Sequence, residues 1–481
     1  MRSMKGEKGV RADAKRENRN IVHITFAVVL LFIVMTGYIG SYTYFKAPDF
    51  INSPYNLRQE LLAKRVIRGQ ILSRNREILA RTVTAENGEE ERSYPYKNLF
   101  AHAVGYSDRG KSGVELMSNL TLLTSDDYLP DRVSNILNGR KNNGNNVVTT
   151  LDINMQAAAY EALGDFRGAI IALDARTGAV LCMVSKPDFD PESIAESWDA
   201  INADPERGAL VNRCTQGLYP PGSTFKIVTM LEYLKENSDE ELKEFSFDCG
   251  GSFSKDGYTI NCYHGRNHGI VDINTAFSES CNSAFAYMGT SFDRSGFKDT
   301  CEKLLFNREL PLKFPYNKSY VPIGPGSDTG EVMQTAIGQG KMQTTPMHMA
   351  MITQAIANGG VLMTPYIIDH IENSGGDVIK SFAPKEYGRI IEKEHADRLC
   401  ELMEEVVRDG TATRLKSDSF TAAGKTGSAE YSSNKVMSHA WFTCFAPVQD
   451  PEVVVTVIAE EAGSGGQFAV PMAKSVLDAW F

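Results

Sequence analysis

Apolar and polar positions follow several distinct rhythms along the chain, and each rhythm predicts an element. Residues 21–45, IVHITFAVVLLFIVMTGYIGSYTYF, form one apolar run in which His23 is the only ionisable residue apart from the tyrosines. About 20 apolar residues span a bilayer as a helix, so this run predicts a membrane anchor. RGQILSRNREILARTV (68–83) alternates like a pair of strands with its turn at Arg74–Asn75. GAIIALDARTGAVLCMVS (168–185) reads as two apolar strands joined through Asp174 to Gly178, a hairpin. From Ser223 to about Met351 the period is mostly helical. HAWFTCFAPV (439–448) and PEVVVTVIAEE (451–461) read as further strands, and PMAKSVLDAWF (471–481) as a closing helix. Strands early and late with helices between predict one sheet built from both ends of a domain and covered by a helical layer. GRKNNGNNV (139–147), polar and rich in Gly and Asn, marks the break before that domain.

Charge adds an orientation. The chain of 481 residues carries a formal charge of -10, yet residues 1–20 hold seven Lys/Arg against three acids, a local +4. Basic flanks stay in the cytoplasm, which places residues 1–20 inside and everything after about Lys46 outside. Tyr42, Tyr44 and Phe45 follow the run where a cleavable signal would have small residues, so the anchor reads as uncleaved. The remaining -14 argues against nucleic acid as a partner. The expected organisation is a tail (1–20), a transmembrane helix (21–45), an N-terminal exported domain (46–146) and a larger one (147–481).

Eight cysteines, at positions 182, 214, 249, 262, 281, 301, 400 and 444, all fall in the exported part. They are open to three readings: unpaired structural thiols, a disulfide between Cys249 and Cys262, or metal ligation by Cys262 with His264 and His268. The spacing fits no defined zinc signature. Cys281 reads as a small buried side chain and His439 as a structural residue before a core strand.

Candidate chemistry centres on YPPGSTFK (219–226). Ser-x-x-Lys recurs at Ser252, Ser295 and Ser432, so the pattern alone selects nothing. At Ser223, however, Pro220, Pro221 and Gly222 stop any incoming helix, and STFKIVTMLEYLKE starts a new one. The serine then sits at a helix N-terminus, where free N–H groups stabilise an oxyanion, and Lys226 lies one turn on. A serine hydroxyl needs a base to become a nucleophile, and a lysine serves only when neutral, through desolvation or a second cation. Ser280 and Asn282 in FSESCNSAF, then Lys425, Thr426 and Gly427 in AAGKTGSAE, supply a relay and that cation.

The ordered set STFK, SCN and KTG resembles the penicilloyl-serine transferases, meaning penicillin-binding proteins and serine β-lactamases. With TTLDINMQ (149–156), the 168–185 hairpin, LYPPGSTFK and HAWFTCFAP, it looks like the class B penicillin-binding proteins, monofunctional transpeptidases. RGQILSRNREILA is similar to that class's N-terminal module, where an Asp and a Gly usually stand in place of Ser73 and Arg76. The resemblance implies an α/β fold of the α+β type: a β-lactamase/transpeptidase-like domain with a central antiparallel sheet and helical layers, preceded by the transmembrane helix and an extended pedestal. It implies that Ser223 attacks the penultimate D-Ala carbonyl of a peptidoglycan stem peptide while Lys226 takes its proton. Ser280 would relay the proton, Asn282 would bond Lys226 and the substrate amide, and Lys425 with Thr426 would bind the terminal carboxylate. The backbone N–H groups of Ser223 and Ser428 would form the oxyanion hole, and Gly427 would leave the strand edge open to the substrate. No metal or organic cofactor is implied. Expected partners are stem peptides ending in D-Ala-D-Ala, β-lactam antibiotics, the membrane and a SEDS-family glycosyltransferase. Competing expectations are a β-lactam-binding sensor or scaffold, a β-lactamase and a D,D-carboxypeptidase.

Overall fold

A computed structural model describes residues 4–45, 58–85, 88–430 and 437–481, which fall into two compact units, Met1–Leu62 and Ala63–Phe481. The first is dominated by helix α1 (Met4–Phe45). Its segment Ile21–Tyr42, with mean hydropathy 2.3, is long and apolar enough to cross a membrane. Its 22 residues rise about 33 Å at 1.5 Å per residue, against about 30 Å of bilayer hydrocarbon. Within it the Thr25 hydroxyl donates to the Ile21 carbonyl at 2.9 Å, so the helix satisfies its own polar group.

In the second unit, strands β1 (Gly168–Asp174), β2 (Val180–Lys186), β3 (Ala423–Glu430), β4 (Ser438–Ala446) and β5 (Val453–Ala459) form an antiparallel sheet. Their order is β3-β4-β5-β1-β2. The early hairpin thus joins the late strands through β5 and β1, from Val453–Asp174 to Ala459–Gly168. Every residue of β4 and β5 is buried, a pattern that demands cover on both faces. The cover comes from helices, of which the main ones are α2 (Ile153–Leu163), α3 (Lys226–Glu236), α4 (Asn282–Ser291), α5 (Pro346–Ala357), α6 (Lys393–Arg408) and α7 (Ala469–Asp478). Helices α2 and α7 pack together on the sheet, α5 packs across β1, β4 and β5, and α6 packs on β3. Buried threonines stitch α5 to the strands, with Thr353 Oγ1 2.6 Å from Thr443 Oγ1 and Thr443 Oγ1 2.7 Å from Thr456 Oγ1.

A second, mixed sheet runs in the order 378–381, 368–372, 146–149, 71–72, 78–84, 90–93. The expected strand pair at 68–83 is present, but the sheet is completed by a hairpin from far downstream, Ile368–Glu372 with Val378–Ser381. The asparagine-rich break is tied into the same sheet. Asn146 accepts from the Gln70 amide at 2.9 Å and Asn145 accepts from the Asp126 amide at 3.0 Å. At the 73–77 turn, Ser73 Oγ accepts from the amides of Asn75 (3.2 Å) and Glu77 (3.1 Å), and Arg76 adopts a left-handed φ of 70°. Serine thus does locally what an aspartate would, while arginine bears the strain a glycine would avoid.

That strain persists because Arg76 donates to buried Glu372 at 3.0 Å. Arg76→Gly should relieve about 1 kcal/mol of left-handed strain, yet a buried carboxylate robbed of its cation costs more. The side chain of Arg76 is 56% exposed, which discounts the pair for solvent screening. The expected net effect is a destabilisation of about 1–2 kcal/mol, recovered in Arg76→Gly/Glu372→Gln. Thermal unfolding that ranks Arg76→Gly above the parent protein would refute this balance.

Within the mostly helical stretch expected from Ser223 to about Met351, residues 247–271 form short strands: Phe247–Cys249 with Gly269–Val271, and Ser252–Lys255 with Tyr258–Asn261. The reason is turn chemistry. Asp256 and Gly257 both take positive φ (51° and 82°), the two-residue turn that suits a hairpin.

Candidate active site

Ser223 lies in a one-turn 3-10 helix, Gly222–Phe225, and Lys226 is the first residue of α3. In a 3-10 turn, residues i and i+3 eclipse, so Ser223 and Lys226 share one face. The turn is pinned from several sides. Tyr219 and Thr344 exchange backbone hydrogen bonds of 2.8 and 3.0 Å, the Gly222 amide donates to Gly338 O at 2.9 Å, and Trp441 Nε1 donates to Pro220 O at 3.0 Å.

Strand β3 is an edge strand, hydrogen-bonded only to β4 among the described residues. Two glycines let it lie against the serine turn. A Cβ on Gly222 (φ 54°) would stand 2.9 Å from Ser428 O, and a Cβ on Gly427 would stand 3.0 Å from Pro221 O and 3.1 Å from Thr224 N. Gly427 therefore serves close packing against the turn as well as an open strand edge.

Behind the turn, Lys226 is wholly buried. Its Nζ donates to Ser280 O at 2.7 Å, to Asn282 Oδ1 at 2.7 Å and to Ser280 Oγ at 3.2 Å. Lys425, equally buried, donates to the same Ser280 Oγ at 2.9 Å. Ser280 is held in a left-handed conformation, φ 58°, the kind of strain that concentrates at functional sites. Burial pushes the Lys226 amine down to about 7. Burial first, and then the charge of Lys226, hold Lys425 well below the ordinary lysine range. Two ammonium groups sharing one hydroxyl in a dry site repel strongly, so the pair favours a single positive charge at neutral pH.

Ser223, Ser280, Asn282, Thr426, Gly427 and Ser428 line one cleft of about 380 Å³, with the two lysines behind it. The structure thus gathers every residue singled out from the sequence for acyl transfer. Among the described residues the Ser223 hydroxyl makes no hydrogen bond. As a neutral amine Lys226 keeps two N–H groups for the 2.7 Å acceptors Ser280 O and Asn282 Oδ1, and a lone pair takes the place of its third donation, to Ser280 Oγ.

The cleft also contains residues no sequence motif marked. Arg266 and Glu279 pair at 2.8 Å and both line the cleft. Thr411 Oγ1 sits 2.6 Å from Thr426 Oγ1, and Tyr263, His268, Gln339 and Arg414 are among the other residues of the walls. Apart from Thr411 and Arg414, which share the segment after α6, and Tyr263, Arg266 and His268, which share 263–268, they come from separate loops or element ends, and no local spacing announces them as cleft residues.

Comparisons with known proteins agree with this geometry. The penicillin binding protein transpeptidase domain family matches residues 168–478, and the penicillin binding protein A dimerisation domain family matches residues 68–147. The peptidoglycan D,D-transpeptidase PbpA of Mycolicibacterium smegmatis is 28% identical over 492 residues, covering 96% of this chain and 99% of the relative. The peptidoglycan D,D-transpeptidase MrdA of Acinetobacter baumannii is 27% identical, over 81% of this chain and 66% of its own. Among solved structures, the ceftriaxone acyl-enzyme complex of penicillin-binding protein A from M. tuberculosis superposes with a TM-score of 0.80 at 27% identity, over 87% of this chain and 99% of that one. The D,D-transpeptidase domain of a peptidoglycan glycosyltransferase from Eggerthella lenta gives 0.77 at 31% identity, over 86% and 98%.

Proposed function

The chain belongs to the penicillin-binding protein transpeptidase family, and on that premise we propose that it works as a peptidoglycan D,D-transpeptidase through an acyl-enzyme on Ser223. The observation that carries the reading is the buried Lys226, its amine lowered toward neutrality and held by Ser280 and Asn282 one 3-10 turn from a serine in an open cleft.

In this mechanism the Ser223 Oγ attacks the carbonyl of the penultimate D-Ala, and its proton passes to neutral Lys226. The new C–O bond forms as the carbonyl π pair moves to oxygen, where the amides of Ser223 and Ser428 receive it. One such donor contributes about 3–4 kcal/mol. The proton then travels through Ser280 Oγ, which both lysines reach (3.2 and 2.9 Å), to the leaving nitrogen, and the terminal D-Ala departs. Lys425 and Thr426 bind the substrate carboxylate. That anion draws the single shared proton onto Lys425, leaving Lys226 as base. Asn282 orients Lys226, and Gly427 lets the substrate lie along the β3 edge as an added strand. An amine of a second stem peptide resolves the ester into a cross-link. β-Lactams enter the same first step and stop there.

Residues 46–146 act as a pedestal and 147–481 as the catalytic domain in this reading. The basic residues before Ile21 keep the N-terminus in the cytoplasm and the cleft outside. A SEDS-family glycosyltransferase is the expected membrane partner, and co-purification of the two tests it.

Intact-mass spectrometry of the full chain in detergent, followed after adding benzylpenicillin, tests the chemistry. One adduct, mapped to residues 219–226 and lasting many minutes, is the expected result. Rapid clearance with catalytic loss of the drug would make the protein a β-lactamase. No adduct on folded protein would remove Ser223 as the nucleophile.

A further inference from the structure

Beside the cleft, three thiols and an imidazole converge that the acyl-transfer chemistry does not use. The ligand atoms of Cys249, Cys262, His268 and Cys281 all lie within 4.8 Å of one another. Cys249 Sγ is 3.6 Å from Cys262 Sγ and 3.4 Å from His268 Nδ1, and Cys262 Sγ is 3.8 Å from Cys281 Sγ. We propose that these four residues hold a zinc ion that fixes the Ser280–Asn282 segment in its working conformation.

The distances set the disulfide reading apart from the other two and suit a bound metal. A disulfide needs sulfurs about 2.05 Å apart, and no pair here comes near it. A tetrahedral zinc with Zn–S of about 2.3 Å and Zn–N of about 2.0–2.1 Å sets its S···S edges near 3.8 Å and its S···N edges near 3.6 Å. The three edges given above lie within about 0.2 Å of these values, and the other three stay within 4.8 Å. Three thiolates and one histidine form a closed structural zinc set, with no open position for a reacting water. His264, a candidate from the sequence, lies outside the cluster, with its ring against Tyr263 at 4.1 Å between centroids. Cys249 and Cys281 take its place.

The surroundings suit metal-bound sulfur. The Ser283 hydroxyl stands 3.1 Å from Cys262 Sγ and can donate to it, and the Ala284 amide donates to Cys281 Sγ at 3.4 Å. Such outer donors orient and stabilise the ligands of a metal site. Cys249, Cys262 and Cys281 are buried and His268 is half-buried. The fold delivers them from four places: the end of strand Phe247–Cys249, the end of the hairpin at Tyr258–Asn261, the start of strand Gly269–Val271 and the N-cap of α4.

The consequence for the cleft follows from adjacency. Cys281 stands between Ser280 and Asn282, and Asn282 Nδ2 donates to the carbonyl of Asn261 at 3.0 Å, the residue before Cys262. A metal bound to both cysteines therefore clamps the left-handed Ser280 and the Asn282 that hold Lys226. The four ligands are positioning residues in this role, acting on the chemistry through Ser280 and Asn282, although His268 also lines the cleft. The positioning role rests on the acyl-enzyme reading, whereas the metal does not.

The test is elemental analysis of the full chain, purified in detergent without chelator or metal-binding tag. Close to one zinc per chain is expected, reduced at least about tenfold in Cys249→Ser and in His268→Gln and retained in His264→Gln. Cobalt put in place of zinc should show the intense ligand-field bands of a tetrahedral thiolate site. Zinc stripped from the parent protein should slow acylation by benzylpenicillin on the order of tenfold to a hundredfold, with recovery on adding one equivalent of Zn²⁺. Parent protein without stoichiometric metal, or with a Cys249–Cys262 disulfide in its peptide map, would overturn the site. Zinc that stays in both ligand variants would place it elsewhere, and stripping that leaves acylation unchanged would overturn the positioning role.

Discussion

Lys226→Arg is expected to slow acylation of Ser223 by benzylpenicillin roughly 10³-fold while leaving the protein folded. A general base typically contributes 10²–10⁴ in rate, and a guanidinium stays protonated at any usable pH. Arginine can still donate toward Ser280 O and Asn282 Oδ1, the partners of Lys226, so the loss isolates proton acceptance from hydrogen bonding. Lys226→Ala should lose as much rate and some stability too, because it leaves those two part-buried acceptors without their donor. The pH profile gives the sign. With the amine lowered to about 7 by burial, the neutral base is scarce below that pH and abundant above it. Acylation should therefore rise about tenfold per unit at low pH and level off above about 7, and the slope should vanish in both variants. A parent profile that is flat between pH 5 and 8, or an arginine variant within tenfold of parent, would remove Lys226 as the base.

The legibility of the fold varied with how local the information was. The 168–185 hairpin and the strands at 438–446 and 453–459 were readable because each is an unbroken apolar segment bounded by turn residues. Their joining into one sheet followed from the need to bury them. The mixed sheet was only half readable. Ile71 pairs in parallel with Val147, and Ile368–Glu372 closes that sheet across more than two hundred residues. Such register is set by burial of long-range partners and leaves no local trace.

The site divides along the same line. Ser223 and Lys226 stand on one turn, and β3 carries Lys425 through Ser428 in register with β4, so short patterns could expose both. Thr411, Arg266 and Gln339 arrive from separate loops with no pattern to expose them. The thiol cluster was half visible: Cys262 and His268 stand close in sequence, but Cys281 lay inside the SCN pattern, where its neighbours explained the segment without it. The short strands at 247–271 that bring the ligands together lie inside a stretch whose period reads as mostly helical, and their pairing leaves little local trace.

Gly338→Ala should do nearly as much damage as losing the base, at a position no motif marks. Gly338 follows helix Thr329–Ala336 with φ +75°, and a Cβ there would stand 1.9 Å from Gly222 O and 2.6 Å from Gly222 C. Both clashing atoms are backbone of the residue before Ser223, so no rotamer change relieves the overlap. The same two glycines are hydrogen-bonded, Gly222 N to Gly338 O at 2.9 Å, which means the substitution pushes apart the contact that sets the serine turn. Left-handed strain and forced displacement together should cost about 2–5 kcal/mol in stability. An ångström of displacement at Ser223 should cost about 10² in acylation rate on the folded protein. Gly326→Ala is the matched control, since a Cβ there meets nothing within 4 Å, and both its unfolding temperature and its acylation rate should equal the parent's. Acylation of Gly338→Ala within twofold of the parent would mean that Ser223 is placed by α3 and β3 alone, with the 338 turn a bystander. A loss confined to Gly338→Ala would make the backbone contact between Gly222 and Gly338 as necessary to the nucleophile as the lysine behind it.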